Sequence, residues 1–118
     1  MLTSLVGTVD DIRREIGGPL VALDIWETQS ALSLASYGTT TVIGPMLHRV
    51  TSDLRHAAAL TGASLDDYHI LTVGGGVVAV VGRPHLCAAL LLTDEAEPAW
   101  VLATVVPVVR AALDAVST

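Results

Sequence analysis

The sequence contains no lysine, no phenylalanine and a single cysteine among its 118 residues. Without lysine, the chain has neither the amine that forms a Schiff base nor the lysine that P-loop proteins use to bind phosphates. With Cys87 alone, no disulfide can form within the chain, which fits a reducing cytosol. All six cations are arginine, and this Val-, Ala-, Gly- and Arg-rich usage is typical of a GC-rich bacterial genome.

Aromatic and charged residues are also scarce. Two Trp and two Tyr are present, charged residues make up 15 % of the chain, and the net charge is −6. Nucleic-acid modules need basic groups and commonly aromatic side chains on which bases stack, so we predict no nucleic-acid partner. Hydrophobic residues make up 52 % of the sequence, more than the core of a small domain requires. This surplus predicts a sheet covered on both faces or a buried subunit interface.

Hydrophobic periodicity predicts the element order α-β-β-α-β-β-β-α within one domain, residues 1–118. Apolar residues at spacings of three and four predict helices over residues 2–16 and 42–61, and Pro98 opens a third helix that extends to about Val116. Apolar runs, alternating or continuous, predict the strands Leu20–Ile25, Ser30–Tyr37, Tyr68–Val73, Val77–Val81 and Leu86–Leu92.

The segment Tyr68–Leu92 predicts a three-stranded antiparallel meander, because three β-rich runs are separated by two turn signals. Strands Val77–Val81 and Leu86–Leu92 are apolar at nearly every position, so both should be central and covered on both faces. The fold class is therefore α/β (α+β), with helices on both faces of one antiparallel sheet.

Nothing in the sequence predicts a membrane anchor. No charged segment precedes an apolar run at the N-terminus, so we expect no signal peptide. The uncharged run 70–82 is interrupted by glycine and is too short to span a membrane as a helix. We therefore expect no membrane insertion and a cytoplasmic protein.

The four histidines do not have the spacing of a metal site. His48 and His56 lie eight residues apart on one predicted helix, whereas helical metal-binding pairs lie four apart. His69 and His85 flank different turns of the meander and are predicted to be ordinary surface or edge-strand histidines. The sequence predicts no metal.

The remaining reactive groups favour structural roles. Cys87 lies in an apolar strand and is predicted to be a buried, inert thiol, although His85 shares its sheet face and leaves a Cys–His pair as an alternative. Asp24 is expected to point into solvent at a strand end. The glycines 74–76 lead from strand to strand, whereas a phosphate loop leads from strand to helix. We predict that the protein is not an enzyme and needs no cofactor.

The order of elements resembles the Roadblock/dynein light-chain family. The matching features are the helix ending at Gly17 and Gly18, the hairpin Leu20–Tyr37, the Ala-rich helix Val42–Gly62 and the meander Tyr68–Leu92. The resemblance implies a profilin-like sandwich whose five-stranded antiparallel sheet has the order 2-1-5-4-3. It also implies a non-enzymatic dimer of the bacterial type that binds a small Ras-like GTPase and modulates its nucleotide cycle.

Carried onto this sequence, the resemblance implies two sets of contact residues. A homodimer interface would combine the second helix with the edge strand that follows it, through Leu47, Val50, Thr51, Leu54, Ala58, Tyr68, Ile70 and Thr72. Pairing there would also remove an exposed strand edge. The candidates for contact with the GTPase lie on the same helix and are Arg49, Asp53, Arg55 and His56.

Two features depart from the family pattern. The first hairpin has the segment 26–29 where the family often has an Asp-Gly or Asn-Gly turn. Pro107 lies inside the last predicted helix, which it should kink unless the regular helix begins near Thr104. The alternative hypothesis is a small-ligand sensor of the PAS-like or GAF-like kind, which needs an enclosed pocket.

Overall fold

The computed structural model describes residues 5–38, 44–62 and 67–117. Within these ranges, three helices and five strands follow one another in the predicted order. Their bounds are α1 (Leu5–Ile16), β1 (Leu20–Glu27), β2 (Ser33–Tyr37), α2 (Gly44–Leu60), β3 (Tyr68–Val73), β4 (Gly76–Gly82), β5 (Leu86–Thr93) and α3 (98–117). The predicted beginnings of the first two helices, at residues 2 and 42, lie outside the described ranges.

The five strands form one antiparallel sheet in the order β2-β1-β5-β4-β3, as predicted. β5 is central because it pairs with β1 on one side and with β4 on the other. Both β4 and β5 are buried along nearly their whole length, which confirms their predicted central position. The strands β2 and β3 form the two edges of the sheet.

Helices cover both faces of the sheet, so the predicted sandwich is confirmed. On one face, α1 and α3 pack on the main core, which includes Ile25, Leu90 and Val109. On the other face, α2 packs over β1 and β5, where Trp26 and Cys87 form a smaller cluster with partly buried Leu47. The second face is therefore covered near the middle of the sheet by a single helix.

The first hairpin differs from its prediction at both ends of its turn. β1 extends to Glu27 and β2 begins at Ser33, so both strand bounds shift by two or three residues. Asp24 consequently lies inside β1, where it is only 2 % exposed, and the Ser33 hydroxyl donates a hydrogen bond to its Oδ1 at 2.6 Å. The expectation that Asp24 points into solvent at a strand end is wrong, because the strand continues three residues beyond it.

The last helix accommodates Pro107 by a change of helical type. An α turn over Pro98–Trp100 leads into a π-helical segment, Val101–Val105, and then into a regular α segment, Val106–Ser117. Pro107 is the second residue of that last segment and directly follows the π-helical turn, in which the N–H of Val106 donates to the carbonyl of Val101. The regular helix thus begins just before the proline, close to the predicted alternative at Thr104.

Within the described residues, one helix, Pro98–Val116, is long and apolar enough to cross a membrane by length and composition. Core helices of soluble proteins pass the same test, so a single such helix is weak evidence for a span. In this fold its residues Val101, Val105, Val109 and Leu113 are buried in the main core.

Candidate interaction surface

An apolar stripe lies on the outer side of α2. Met46, Val50 and Leu54 recur every four residues, and their exposed fractions are 68 %, 48 % and 44 %. Large apolar side chains in such a row are unusual on a solvated helix, which normally presents polar residues outward. We call Met46, Val50 and Leu54 the α2 stripe.

The neighbouring edge strand, β3, exposes further apolar side chains on the same face of the sheet. Side chains alternate between the faces of a strand, and Tyr68 and Ile70 pack against the main core on the α1/α3 face. Leu71 and Val73 therefore point to the α2 face, where they are 37 % and 40 % exposed. Among the described residues, β3 pairs with β4 alone, so it forms an edge of the sheet, the kind of position at which a further strand can add.

A network of charged side chains fixes the beginning of β3. The Asp67 carboxylate accepts hydrogen bonds from Arg83, at 3.0 Å, and from Arg110, and Arg83 also donates to Asp114 at 2.7 Å. The Arg110 guanidinium lies 5.5 Å from the ring centroid of Tyr68, the first residue of β3. The network thus joins the start of the edge strand to the β4–β5 turn and to α3.

The same network shifts two pKa values. Burial raises the pKa of Asp67, but hydrogen bonds and charge from Arg110 and Arg83 outweigh it and hold that pKa below its usual range. The hydrogen bond to Asp114 raises the pKa of Arg83 despite the opposing effect of burial. Asp67 is therefore stabilised in its charged form in the folded protein.

Asp67→Asn should lower the free energy of unfolding by about 1 kcal/mol at pH 7, because it removes a carboxylate held by two arginines while a third of that side chain remains exposed to screening solvent. The lowered pKa means that this stabilisation is present above the unfolded-state pKa of about 3.9 and is lost as the pH falls through the folded-state pKa. Urea unfolding of both proteins at pH 7 and below pH 4 should show the difference shrinking with acid.

The matched control is Asp11→Asn, since Asp11 pairs with Arg14 on the exposed surface of α1. That change should alter the unfolding free energy by less than about 0.5 kcal/mol. Equal effects of the two substitutions, or an effect of Asp67→Asn that does not change with pH, would contradict the stabilising role of the network.

Comparisons with known proteins find similarity in structure. No protein-family profile and no curated protein matches the sequence. The chain is similar to an MglB with a tetrameric arrangement, with a TM-score of 0.75 and 12 % identity over 95 % of this chain and 87 % of that one. The gliding protein MglB from Thermus thermophilus gives a TM-score of 0.74, 12 % identity and the same coverage of 95 % and 87 %. A Roadblock/LC7 domain from Streptomyces avermitilis gives 0.62, with 15 % identity over 86 % and 88 % of the chains.

The chain has the Roadblock fold.

The resemblance drawn from the sequence is thereby confirmed at the level of the fold, including the strand order 2-1-5-4-3. α2 packs over β1 and β5, and among the described residues β3 forms the edge of the sheet on the far side of β4. The α2 stripe and the exposed apolar side chains of β3 lie on the same face of the sheet, and together we call them the α2–β3 surface.

The eight predicted interface residues fall into three groups on the Roadblock scaffold. Val50 and Leu54 are exposed on the α2 stripe. Leu47, Thr51 and Ala58 are partly or fully buried on the inner side of α2, and Thr51 donates hydrogen bonds to the carbonyls of Leu47 and His48. On β3, the partly buried Tyr68 and Ile70 face the main core, and Thr72 is exposed.

Three residues of the α2–β3 surface were not among the predicted interface residues. Met46 continues the spacing of Val50 and Leu54, so helical periodicity was a sufficient signal for it. Leu71 and Val73 follow from strand alternation once it is known which face of β3 meets the core. That face depends on tertiary packing, which periodicity alone does not provide.

The four candidate contacts for a GTPase are all exposed on α2 but do not share one side of it. Arg49, Asp53 and His56 follow one another at spacings of four and three and lie along one flank of the α2 stripe. Arg55 lies on a different side, where its guanidinium is next to Gly82 at the end of β4, so that a Cβ placed on that glycine would lie 3.0 Å from it. The structure thus groups three of the four predicted residues.

The residues considered for chemistry remain apart. Cys87 is buried, and its Sγ lies 3.4 Å from the hydroxyl of Thr28, which donates to the carbonyl of Arg83. His85 is exposed in the turn before β5. Within the described part of the chain, no group of three His, Cys, Asp or Glu side chains could hold a metal ion.

Two clefts in the described part of the chain lie at the edges of its helices. One of about 380 Å³ lies between α1 and β2 and is open to solvent, and the Arg13 guanidinium covers the Tyr37 ring at 3.9 Å beside it. Another, of about 360 Å³, lies between α1 and α3. A small-ligand sensor requires an enclosed pocket with inward polar groups, which neither cleft provides.

Proposed function

We propose that this protein is a single-domain, non-enzymatic regulatory or adaptor module that acts as a homodimer and binds a small Ras-like GTPase in the cytoplasm. The observation that supports this proposal is the α2–β3 surface, which combines the exposed apolar stripe of α2 with exposed apolar side chains of the edge strand β3 on the same face of the sheet. The Roadblock fold supports it, because bacterial proteins of the family that the sequence resembles work beside such GTPases.

Dimerisation through the α2–β3 surface would pair the edge of β3 and bury the apolar side chains of the α2 stripe. A second copy related by a twofold axis would place its β3 antiparallel to the first, so that the free backbone groups of both edges pair. The same axis would bring the two α2 stripes together and remove their apolar side chains from water. Self-association is also described for a structural relative, an MglB with a tetrameric arrangement.

Contact with a GTPase would use the polar flank of α2. Arg49, Asp53 and His56 are exposed and stand next to the α2 stripe, so in a dimer they would border the interface and remain in solvent. Charges at the rim of an interface steer association and select partners more than they add affinity. A dimer would present this flank twice, once from each α2 helix.

Arg49→Glu should weaken binding of the GTPase at least about tenfold, because a reversed charge at the rim repels a partner selected for complementarity. The GTPase is first captured from the host with the tagged protein, identified by mass spectrometry, and then titrated against purified wild type and variant. The matched control is Arg14→Glu, the same charge reversal on the exposed surface of α1. Equal loss in both variants would show that net charge and not the α2 flank determines binding.

A further inference from the structure

One hydrogen bond joins a buried strand residue to the inner side of α2. The indole N–H of Trp26 donates to Nδ1 of His48 at 3.0 Å, and the two rings meet edge to face with their centroids 6.3 Å apart. Trp26 is fully buried in β1, and His48 is half-buried in the second turn of α2. The two residues are 22 positions apart, so the bond fixes α2 to the sheet.

The direction of this bond fixes the protonation state of the imidazole. A neutral histidine has one N–H and one acceptor nitrogen, and because Nδ1 accepts, the proton is on Nε2. In the imidazolium both nitrogens carry protons, so Nδ1–H would face the indole N–H of Trp26. Because the indole is buried, its N–H could not hydrogen-bond to water in place of the lost nitrogen acceptor. Protonation of His48 and the hydrogen bond from Trp26 are therefore mutually exclusive.

We propose that His48 is a pH-dependent attachment of α2 to the sheet, closed while the imidazole is neutral and released when it is protonated. Histidine is the side chain that ordinarily changes charge between pH 5 and 8. Since α2 carries the α2 stripe, release would also weaken the dimer. That second consequence rests on the proposed function, whereas the attachment itself does not.

Other ionisable groups stand on the same side of the sheet. The strands packed against α2 contribute Asp24 from β1 and Cys87 from β5, both buried. Asp24 accepts its hydrogen bond from Ser33, on the edge strand. The helix itself carries the exposed Arg49, Asp53, Arg55 and His56. His69 of β3 also points to this side of the sheet, since it pairs with Val80 of the smaller cluster. Variants of Asp24, His56 and His69 therefore separate the ionisation of these groups from that of His48.

The test follows the ¹H–¹⁵N resonances of the protein from pH 8 to pH 5. We expect the indole N–H resonance of Trp26 to shift with the titration of His48. Amide exchange along residues 47–54 should become roughly tenfold faster at pH 5.5, after correction for the intrinsic rate, because the helix loses a buried hydrogen bond. His48→Gln keeps an acceptor without a titrating group, and both responses should disappear in it.

The controls are His56→Gln, which removes the other histidine of α2, His69→Gln, which removes the histidine of β3, and Asp24→Asn, which removes the buried carboxylate. All three should keep the wild-type response. The proposal is overturned if the Trp26 resonance does not change with pH, or if His48→Gln responds to pH as the wild type does.

Sedimentation at pH 8 and pH 5.5 separates this proposal from that of the dimer. The wild-type dimer should weaken roughly tenfold at pH 5.5 and the His48→Gln dimer should not. A protein that is monomeric at both pH values, with the Trp26 response intact, contradicts the dimer and supports the attachment. A dimer whose Trp26 resonance is independent of pH supports the dimer and overturns the attachment.

Discussion

Replacing Leu54 with aspartate is expected to convert the protein from a dimer into a monomer. Leu54 lies in the α2 stripe, one turn after Val50, and is 44 % exposed in the protomer. In a twofold interface, the change would bury two unpaired carboxylates, one from each copy, against apolar side chains. We expect the dissociation constant to rise by more than roughly 100-fold, since an uncompensated buried charge costs several kcal/mol.

Sedimentation velocity measures this effect directly. The wild type should have a mass near twice the chain mass of 12.2 kDa, and Leu54→Asp a mass near 12.2 kDa. The variant should keep its helical circular dichroism, because the side chain is outside the core. Ser52→Asp is the control: it adds the same charge on the opposite side of α2 and should leave the dimer intact. An unchanged dimer in Leu54→Asp would show that α2 is not the interface.

Gly38→Ala is expected to cause the largest loss of stability among single-methyl additions in the described chain. Gly38 follows β2 with φ of 88°, and a Cβ built there would overlap the backbone oxygen of Val21 and lie 3.0 Å from the Cα of Ala22. The alanine would combine an unfavourable left-handed conformation with a clash against a backbone that is held in the sheet. We expect the free energy of unfolding to fall by about 3 kcal/mol or more.

Gly17→Ala provides the matched control for that change. Gly17 also has a positive φ, 76°, but a Cβ there would have no neighbour within 4 Å. Urea denaturation should therefore show a loss of only about 1 kcal/mol for Gly17→Ala. Similar losses in the two variants would mean that the left-handed conformation, and not the contact with Val21, sets the cost at Gly38.

The element order could be predicted from the sequence because each helix and strand has the hydrophobic period of its own type. The central place of β4 and β5 followed from their uninterrupted apolar runs, which only a sheet covered on both faces can bury. The turn after β1 was predicted less well. It lacks the Asn-Gly or Asp-Gly signal. Ala31 has a positive φ of 59°, a conformation that alanine rarely adopts and that the sequence therefore does not predict.

The candidate site could be predicted only in part, because its contacts join distant segments. Asp67 and Arg110 are 43 positions apart, and no local pattern predicts that they meet. The same holds for Trp26 and His48. The strand β3 alternates in the same way whichever of its faces meets the main core. The sequence therefore does not show that Tyr68 and Ile70 face the core and that Leu71 and Val73 lie on the other face.

The central claim is our proposal that this protein, which has the Roadblock fold, recognises a small Ras-like GTPase, and nucleotide-dependent binding of that partner tests it most directly. The GTPase that co-purifies with the tagged protein from its own host is loaded with GDP or with a non-hydrolysable GTP analogue, and each form is titrated against the purified protein. The proposal predicts saturable binding whose affinity differs at least roughly tenfold between the two forms, since a regulator of the nucleotide cycle must distinguish them. No co-purifying GTPase, or equal affinity for both forms, would contradict it.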